Sequence, residues 1–257
     1  KVAIVGMRCD PGIDTESGYR RCVASEMGLK FEDTVIQERR SDNHVYHFAE
    51  PGGSYGTIST TPQLILGARQ LKQKILQYAV TPRPRETAFF QGKKAVDLDI
   101  RESMVFEKEN PNTRKTVAEV ANAFWNADPA IAHPVVPDLT GLTSEGKPDS
   151  RLYVMSRQAH FIEVEVDTET GEIAVVDLVC VNDVGHAHNP RGAHGQQYGG
   201  ATMALGRNVT EEKICCPRTG VGLNYDHIGY HLGTMNDYPV IQCILNESHQ
   251  GYSAYGA

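Results

Sequence analysis

The sequence lacks the features that mark several common classes of protein. Its 257 residues contain no run of about 18 apolar residues, the length needed to cross a bilayer, so no membrane span is expected. No segment repeats at a period of roughly 20–50 residues, which argues against a solenoid. The net charge is −7, and a chain without a basic excess lacks the electrostatic footprint of a nucleic-acid-binding protein.

Cysteine is present, but its spacing excludes two further classes. None of the six cysteines forms a CxxC pair, and Cys215 and Cys216 are adjacent, which is a poor geometry for joint binding of one metal. Six cysteines in a chain of this length do not make a disulfide framework, so a reducing, cytoplasmic compartment is expected. His227 and His231 are spaced as on one helix face, but no HExxH motif surrounds them. We therefore predict no metal held by protein side chains.

The first residues have the composition of a strand that could open a dinucleotide-binding unit. Val2–Val5 is apolar and β-branched, and a glycine follows it. The next segment, Gly6–Gly12, has the wrong spacing for GxGxxG and contains a proline at the turn. An ordinary buried strand is therefore the preferred interpretation.

A glycine-rich segment in the first half of the chain has the composition of an anion-binding loop. Gly52–Gly56 lets the backbone approach a ligand closely, and the hydroxyls of Thr57, Ser59 and Thr60 are short donors. Thr60-Thr-Pro62 then predicts the start of a helix, with threonine as the cap and proline in the first turn. Because a helix N-terminus presents free N–H groups, the segment predicts a site for a phosphate or an oxo group. A loop that only caps the helix is the alternative.

The remaining pattern mixes helices and strands, which predicts an α/β or α+β fold with a mixed sheet. The composition divides the chain into residues 1–150 and 151–257, with a Pro- and Arg-rich linker segment near residues 80–86. Four further elements are predicted: a helix over Ser17–Met27 ended by Gly28, a capping box at Thr116–Glu119, a hairpin of His160–Asp167 with Glu172–Val181, and a helix over Gly192–Leu205.

The last of these helices carries a polar residue near its start. It follows the turn at Asn189-Pro190, and it contains Gln196 among glycines and alanines. A glutamine amide donates and accepts hydrogen bonds at once, which suits a pterin edge or a metal-oxo ligand. Close helix packing would explain the glycines but not Gln196.

Taken in order, these segments resemble the molybdenum hydroxylases, the family of xanthine dehydrogenase and aldehyde oxidoreductase. The resemblance covers nearly the whole chain and corresponds to the C-terminal portion of the large, molybdopterin-binding subunit. Each motif is weak alone, and their order and spacing are specific. The motifs are Glu163–Glu172, Asp183-Val-Gly-x-x-x-Asn-Pro190, Gly195-Gln196 with Gly199-Gly200, Leu205-Gly206 and Thr210–Glu212, with Thr116–Val120, Asn224-Tyr225 and Asp237-Tyr238 also similar.

The resemblance implies a fold and a set of cofactor contacts. The fold is that of the xanthine dehydrogenase type of molybdopterin-binding domain, with mixed sheets and packed helices, and residues 1–150 and 151–257 are its two subdomains. The implied contacts are Gly56, Thr57, Ile58 and Ser59, at a turn beside the molybdenum and the pterin phosphate, and Gln196, near the dithiolene.

One cofactor loop departs from the family pattern Asp-x-Gly-Gln-Gly. The corresponding residues here are Asp10–Asp14, so that Ile13 stands at the glutamine and Asp14 at the last glycine. A slipped register would put Pro11 at the glutamine instead, and in either register one hydrogen bond to the pterin is lost. Gly12 and Ile13 remain implied contacts.

The family's catalytic base is a glutamate in a Gly-x-Gly-Glu motif. That motif continues a loop resembling Tyr255–Ala257, and the sequence ends before it. No catalytic residue is therefore assigned, and the second subdomain is expected to be truncated before the catalytic loop. The subunit is expected either to consist of separate pieces or to continue past Ala257.

The implied function is part of the molybdenum-cofactor subunit of a multi-subunit oxidoreductase that hydroxylates or oxidises a small aldehyde or an N-heteroaromatic compound. The implied cofactor is molybdopterin, for which the cytosine dinucleotide is one candidate form. Iron–sulfur clusters and FAD are expected only on partner chains. The expected partners are the N-terminal half of the molybdenum subunit, an iron–sulfur subunit and an optional flavin subunit. The alternatives are a reductive dehydroxylase of the hydroxybenzoyl-CoA reductase type and a scaffold that kept the fold without catalysis.

Overall fold

The computed structural model describes residues 1–5, 10, 12–37, 55–82, 87–125 and 156–248, apart from the side chains of 55–59, 124 and 125. The predicted mixture of helices and strands is confirmed, and these residues form three small sheets and their helices. The described residues up to 125 form one compact unit, and those from 156 form a second. Part of the proposed linker (83–86) and the chain end at 249–257 lie outside the described residues.

The first unit begins with two parallel strands and the helix that connects them. Strand β1 (Val2–Val5) pairs in register with β2 (Thr34–Gln37), and helix α1 (Thr15–Met27) lies between them in the chain. The helix starts two residues before the predicted Ser17, but it ends as predicted at Gly28, which has φ 75°. The Gly28 amide donates to the carbonyls of α1's last turn, and only glycine takes this left-handed conformation without strain.

The longest helix, α2, spans Tyr55–Val80, so the prediction that it starts at Thr60–Pro62 is wrong. Pro62 lies inside the helix instead of in its first turn. Proline lacks the N–H that would donate to the carbonyl four residues earlier, which removes one backbone hydrogen bond. Burial of Ala68 and Ala79, with other apolar side chains of α2, opposes that loss. The glycine-rich segment from Gly56 onwards is therefore helical.

An antiparallel sheet follows, made of β3 (Leu98–Arg101), β4 (Met104–Glu107) and β5 (Arg114–Thr116). Helix α3 (Val117–Trp125) starts directly after β5, and the predicted capping box at its start is confirmed. The Thr116 amide donates to Glu119 Oε2 at 2.8 Å, and the Glu119 amide donates back to Thr116 Oγ1 at 3.0 Å.

One apolar core joins the elements of the first unit. Residues on both sides of the segment at 80–86 contribute to it, since Ala79 and Phe90 are both buried and the Phe90 amide donates to the Ala79 carbonyl. The buried members are Ile4, Tyr19, Val23, Ala24, Met27, Leu29, Ala68, Ile75, Leu76, Ala79, Phe90, Leu98, Ile100, Val105, Val117 and Val120.

The second unit is a three-stranded mixed sheet with one helix. The predicted hairpin is confirmed as β6 (Gln158–Val166) antiparallel to β7 (Ile173–Asp183). Strand β8 (Val240–Asn246), which the sequence reasoning missed, pairs parallel to β7 on the other side. Helix α4 (Pro190–Val209) is longer than predicted at both ends, and the Asn189 side chain caps it by accepting from the Gly192 amide.

Candidate functional site

The first candidate region is the edge where the two parallel strands of the first unit end. Val5 and Gln37 are paired in register, so β1 and β2 finish at the same edge of the sheet. From this edge the chain continues from β1 to α1 and from β2 to α2. In open α/β sheets, ligands bind outside the carboxyl ends of parallel strands. Residues 6–9, 11 and 38–54 of the two connections lie outside the described residues.

At the start of α1, backbone amides already donate hydrogen bonds to a carboxylate of the same chain. Asp10 accepts from the amides of Gly12 at 3.0 Å and Ile13 at 2.8 Å through Oδ1, and from Glu16 at 3.4 Å through Oδ2. Partial burial raises the pKa of Asp10, but the amide hydrogen bonds outweigh it, and the pKa lies below its ordinary value. The amides of Gly12 and Ile13 are therefore already used.

Sequence reasoning missed this role of Asp10. The signal was available, because an aspartate two residues before a glycine often accepts hydrogen bonds from the following amides in an Asx turn. What Gly12 still offers a ligand is close approach of its backbone. Its φ is 102°, and a Cβ added there would meet no heavy atom within 4 Å.

The start of α2 differs, because no acidic residue lies in its first turn. Gly56 and Thr57 belong to this first turn, and a helix leaves its first four N–H groups without an internal partner. These two amides point out of the helix end, where the helix dipole places partial positive charge. Ile58 and Ser59 lie further inside the helix, so the Ser59 amide belongs to the internal hydrogen-bond ladder.

Three buried threonine hydroxyls near the two helix starts have no hydrogen-bond partner among the residues that the structure describes. They are Thr15 in the first turn of α1, and Thr60 and Thr61 near the start of α2, the last of them only 1% exposed. An unpaired buried hydroxyl costs about 1–3 kcal/mol, so native proteins rarely leave several unpaired. The unpaired hydroxyls fit a polar group bound near these helix starts.

In the second unit, the predicted contact Gln196 has an exposed side chain on α4. Its neighbour Gln197 behaves differently, because both of its amide atoms are buried and, within the described part of the chain, have no hydrogen-bond partner. Gln197, Ala201 and Leu205 are four residues apart, and the last two pack in the small core against the sheet. The Gln197 amide thus lies on the sheet side of α4, and the Gln196 amide is open to a ligand.

A second strand edge in this unit also gathers polar groups. β7 and β8 are parallel and end together at Asp183 and Asn246. Glu247, just after β8, accepts from the Ala187 amide at 3.0 Å and lies 3.3 Å from His186 Nδ1. Helix α4 starts from this same edge, which makes it the second place where a ligand would meet a helix N-terminus.

The part of the chain that the structure describes holds no group of three His, Cys, Asp or Glu side chains arranged for a metal ion. His227 and His231 do not share a helix face, because the segment turns there and His231 has φ 61°. Asp226 stabilises this turn by accepting from the amides of Ile228 at 3.0 Å and Gly229 at 2.7 Å. Among the described helices, none combines the length and apolarity required of a membrane span.

Comparison with known proteins gives a consistent result. A model of the molybdopterin cofactor-binding domain matches residues 7–239. The aldehyde oxidoreductase molybdenum-binding subunit PaoC of Escherichia coli K12 is 36% identical over 237 residues, which cover 92% of this chain and 28% of that protein. The xanthine dehydrogenase molybdenum-binding subunit of Escherichia coli O157:H7 is 25% identical over 250 residues, 95% of this chain and 31% of that protein.

A solved structure shares the fold. The crystal structure of quinoline 2-oxidoreductase from Pseudomonas putida 86 matches with a TM-score of 0.75 and 23% sequence identity. The match covers 99% of this chain and 30% of that chain. This chain thus spans less than a third of the length of the proteins that it matches.

Proposed function

Because this chain belongs to the molybdopterin cofactor-binding domain family, we propose that it forms part of the molybdenum-cofactor subunit of a multi-subunit oxidoreductase. The proposed reaction is the hydroxylation or oxidation of a small aldehyde or N-heteroaromatic compound. The names of the relatives support these substrate classes, since PaoC belongs to an aldehyde oxidoreductase and the second relative to a xanthine dehydrogenase.

The observation that carries the proposal is the N-terminal turn of α2, which starts at Tyr55. The amides of Gly56 and Thr57, with no acidic residue in that turn, suit an anionic phosphate of the cofactor. Ile58 and Ser59 would line the same end of the helix from its next positions. When bound, the cofactor supplies the redox chemistry of molybdenum, which the pterin dithiolene holds.

The start of α1 would make a different kind of contact. The Asp10 carboxylate already accepts from the amides there and would repel a phosphate. Gly12 and Ile13 would therefore contact an uncharged part of the cofactor, Gly12 through its open backbone. Gln196, whose side chain is exposed, would offer its amide to a donor–acceptor edge of the pterin.

The proposal includes other chains. The N-terminal half of the molybdenum subunit would complete the cofactor site, and iron–sulfur and flavin subunits would carry the clusters and FAD. The cytosine dinucleotide form of the pterin and a cytoplasmic location are also part of the proposal.

Gly56→Asp in the complete assembly tests the proposal. A carboxylate in the first turn of a helix interacts favourably with the helix dipole and so stabilises the helix, but it repels a bound phosphate. The stability of the fold and the affinity for the cofactor should therefore change in opposite directions. We expect molybdenum and pterin content to fall at least several-fold with no loss of melting temperature. Gly56→Asn is the neutral control and should retain more cofactor. Equal cofactor content in Gly56→Asp and wild type would overturn the proposal, and a wild-type assembly without molybdenum would favour the non-catalytic scaffold.

Gln196 can be tested against its neighbour. Gln196→Ala should lower molybdenum occupancy while the melting temperature stays unchanged, because the side chain is exposed and supports no core contact. Gln197→Ala is the matched control, and it should leave occupancy unchanged because its amide lies on the sheet side of α4. Unchanged occupancy in Gln196→Ala would remove this residue from the proposed contacts.

A further inference from the structure

The two faces of the β6–β7–β8 sheet can be separated from the strand register. Residues paired directly across strands point to the same face, and successive residues alternate. Leu178 and Cys180 face α4, because they form its small core with Leu205. The opposite face, here called the outer face, therefore carries three cross-strand rows: Ala159, Val181 and Ile244; Phe161, Val179 and Gln242; and Glu163, Asp177 and Val240.

The outer face is apolar and exposed. Phe161 is 66% exposed and Val240 78%, and Ile244 is also exposed, with Val179 and Val181 half-buried between them. These five side chains form a continuous apolar band over all three strands. Exposed contiguous apolar patches on proteins mark interaction surfaces.

Strand β6 strengthens this conclusion because it lies at the edge of the sheet. All nine of its residues are exposed, including Ile162, which is on the same face as α4 but is not covered by it. A long, apolar edge strand offers unpaired backbone groups to any other strand, and native proteins cover such an edge or blunt it. β6 contains neither lysine nor proline, and its protection as an edge is limited to Glu163, Glu165 and the register shift between Glu163 and Val164.

The charges on the outer face indicate what the covering surface contains. Glu163 and Asp177 are directly opposed across β6 and β7, and like charges in this position destabilise a sheet. Neither has a cationic partner among the described residues. Residues 158–190 contain seven acidic side chains and no Lys or Arg, so a neutralising cation must come from outside this stretch.

We propose that the outer face is the surface on which the remainder of the molybdenum-binding subunit packs, through an apolar segment flanked by a Lys or Arg that pairs with Glu163 and Asp177. This inference rests on the proposed function, which makes this chain one part of that subunit. The length of the relatives supports the choice of occupant over a second copy. The matched stretch is 28% and 31% of two relatives, so most of each subunit lies outside it.

A photo-crosslinker placed on the outer face tests the proposal in the complete assembly. Phe161→p-benzoylphenylalanine keeps an aromatic side chain at this position, and after irradiation the crosslinked peptides are identified by mass spectrometry. We expect crosslinks to peptides of the subunit outside these 257 residues. The matched control is Glu169→p-benzoylphenylalanine, in the exposed turn between β6 and β7, which should crosslink at least several-fold less. Crosslinks from position 161 to a second copy, to residues within this chain, or to nothing would overturn the proposal.

A measurement on the wild-type assembly covers the case in which the variant does not fold. Hydroxyl-radical footprinting should oxidise Phe161 several-fold more slowly in the assembly than in urea, and equal rates would overturn the proposal. Either measurement can be made on assembly prepared with or without molybdenum. If Phe161 is oxidised as fast in a molybdenum-loaded assembly as in urea, the packing surface alone is refuted. If Phe161 is protected from oxidation in an assembly that cannot bind the cofactor, the proposed function alone is refuted.

Discussion

The two units of this protein reach order in different ways. The first unit buries sixteen apolar side chains in one core, drawn from its helices and from both of its sheets. The second unit buries three apolar side chains in its small core, although its strands β6 and β7 are also rich in apolar residues. Burial of apolar surface is the main favourable contribution to folding, so the first unit supplies its own stabilisation to a much greater extent.

Local hydrogen bonds fix the turns of the second unit. Asp167 accepts from the amides of Glu169 and Thr170, and these bonds lower the pKa of its carboxyl group. Asp237 accepts from both the hydroxyl and the amide of Thr234, with the same effect on its pKa. Such bonds fix the shape of loops, but they contribute little against the entropy of ordering a chain. The described part of the second unit therefore stabilises itself less than the first unit does.

The largest expected effect comes from the core of the first unit. Leu98 is 1% exposed within the large core, and Leu98→Ala should cost about 3–5 kcal/mol of stability because the surrounding side chains cannot close the cavity. Leu178, 7% exposed in the small core, is the matched position, and Leu178→Ala should cost about 2 kcal/mol. Hydrogen exchange read by mass spectrometry, segment by segment, gives the two values separately. Equal costs would contradict the comparison between the units.

The next effect concerns two glycines in the left-handed conformation. Gly28 has φ 75°, and a Cβ there would overlap the carbonyl of Ile100, whereas Gly171 in the second unit has φ 78° with open space around it. Gly171→Ala should cost about 1 kcal/mol for the backbone conformation alone. Gly28→Ala should cost about 1–2 kcal/mol more, because β3 must also shift. Urea unfolding of both variants measures the difference, and a smaller loss for Gly28→Ala than for Gly171→Ala would disagree with this packing.

The smallest effect is the pH dependence of Asp10. Its pKa is lower in the folded protein than its ordinary value of 3.8, so the stability that it contributes is fully present above that value. This stability is lost as the pH falls through the lowered pKa. Asp10→Asn keeps an accepting oxygen but loses the carboxylate charge, so it should lower the stability at neutral pH and progressively less below about pH 4. Melting temperatures of both proteins across this range provide the measurement, and a constant difference down to about pH 2 would argue against the Asp10 hydrogen bonds.

Local patterns in the sequence predicted several elements correctly. The capping box at Thr116 and Glu119, the glycine end of α1 and the β6–β7 hairpin depend on residues close in the chain. Where the sequence reasoning failed, a distant contact decided the outcome. Helix α2 runs through Pro62 because its buried face compensates for one missing hydrogen bond. Strand β8, whose apolar run Val240–Leu245 was overlooked in the sequence, pairs with β7 from far along the chain.

The features of the candidate site can likewise be divided into those that the sequence predicted and those that only distant contacts decided. The sequence by itself determined the family, because the order and spacing of the motifs survive in the linear chain, and it pointed to Gly56 and Gln196. Only the tertiary structure decided that Asp10 already occupies the amides at the start of α1, and that Gln196 is exposed while Gln197 is turned towards the sheet. The physical reason is that the direction of a side chain and the partner of an amide depend on which elements pack together, and that packing is set by contacts between residues far apart in the chain.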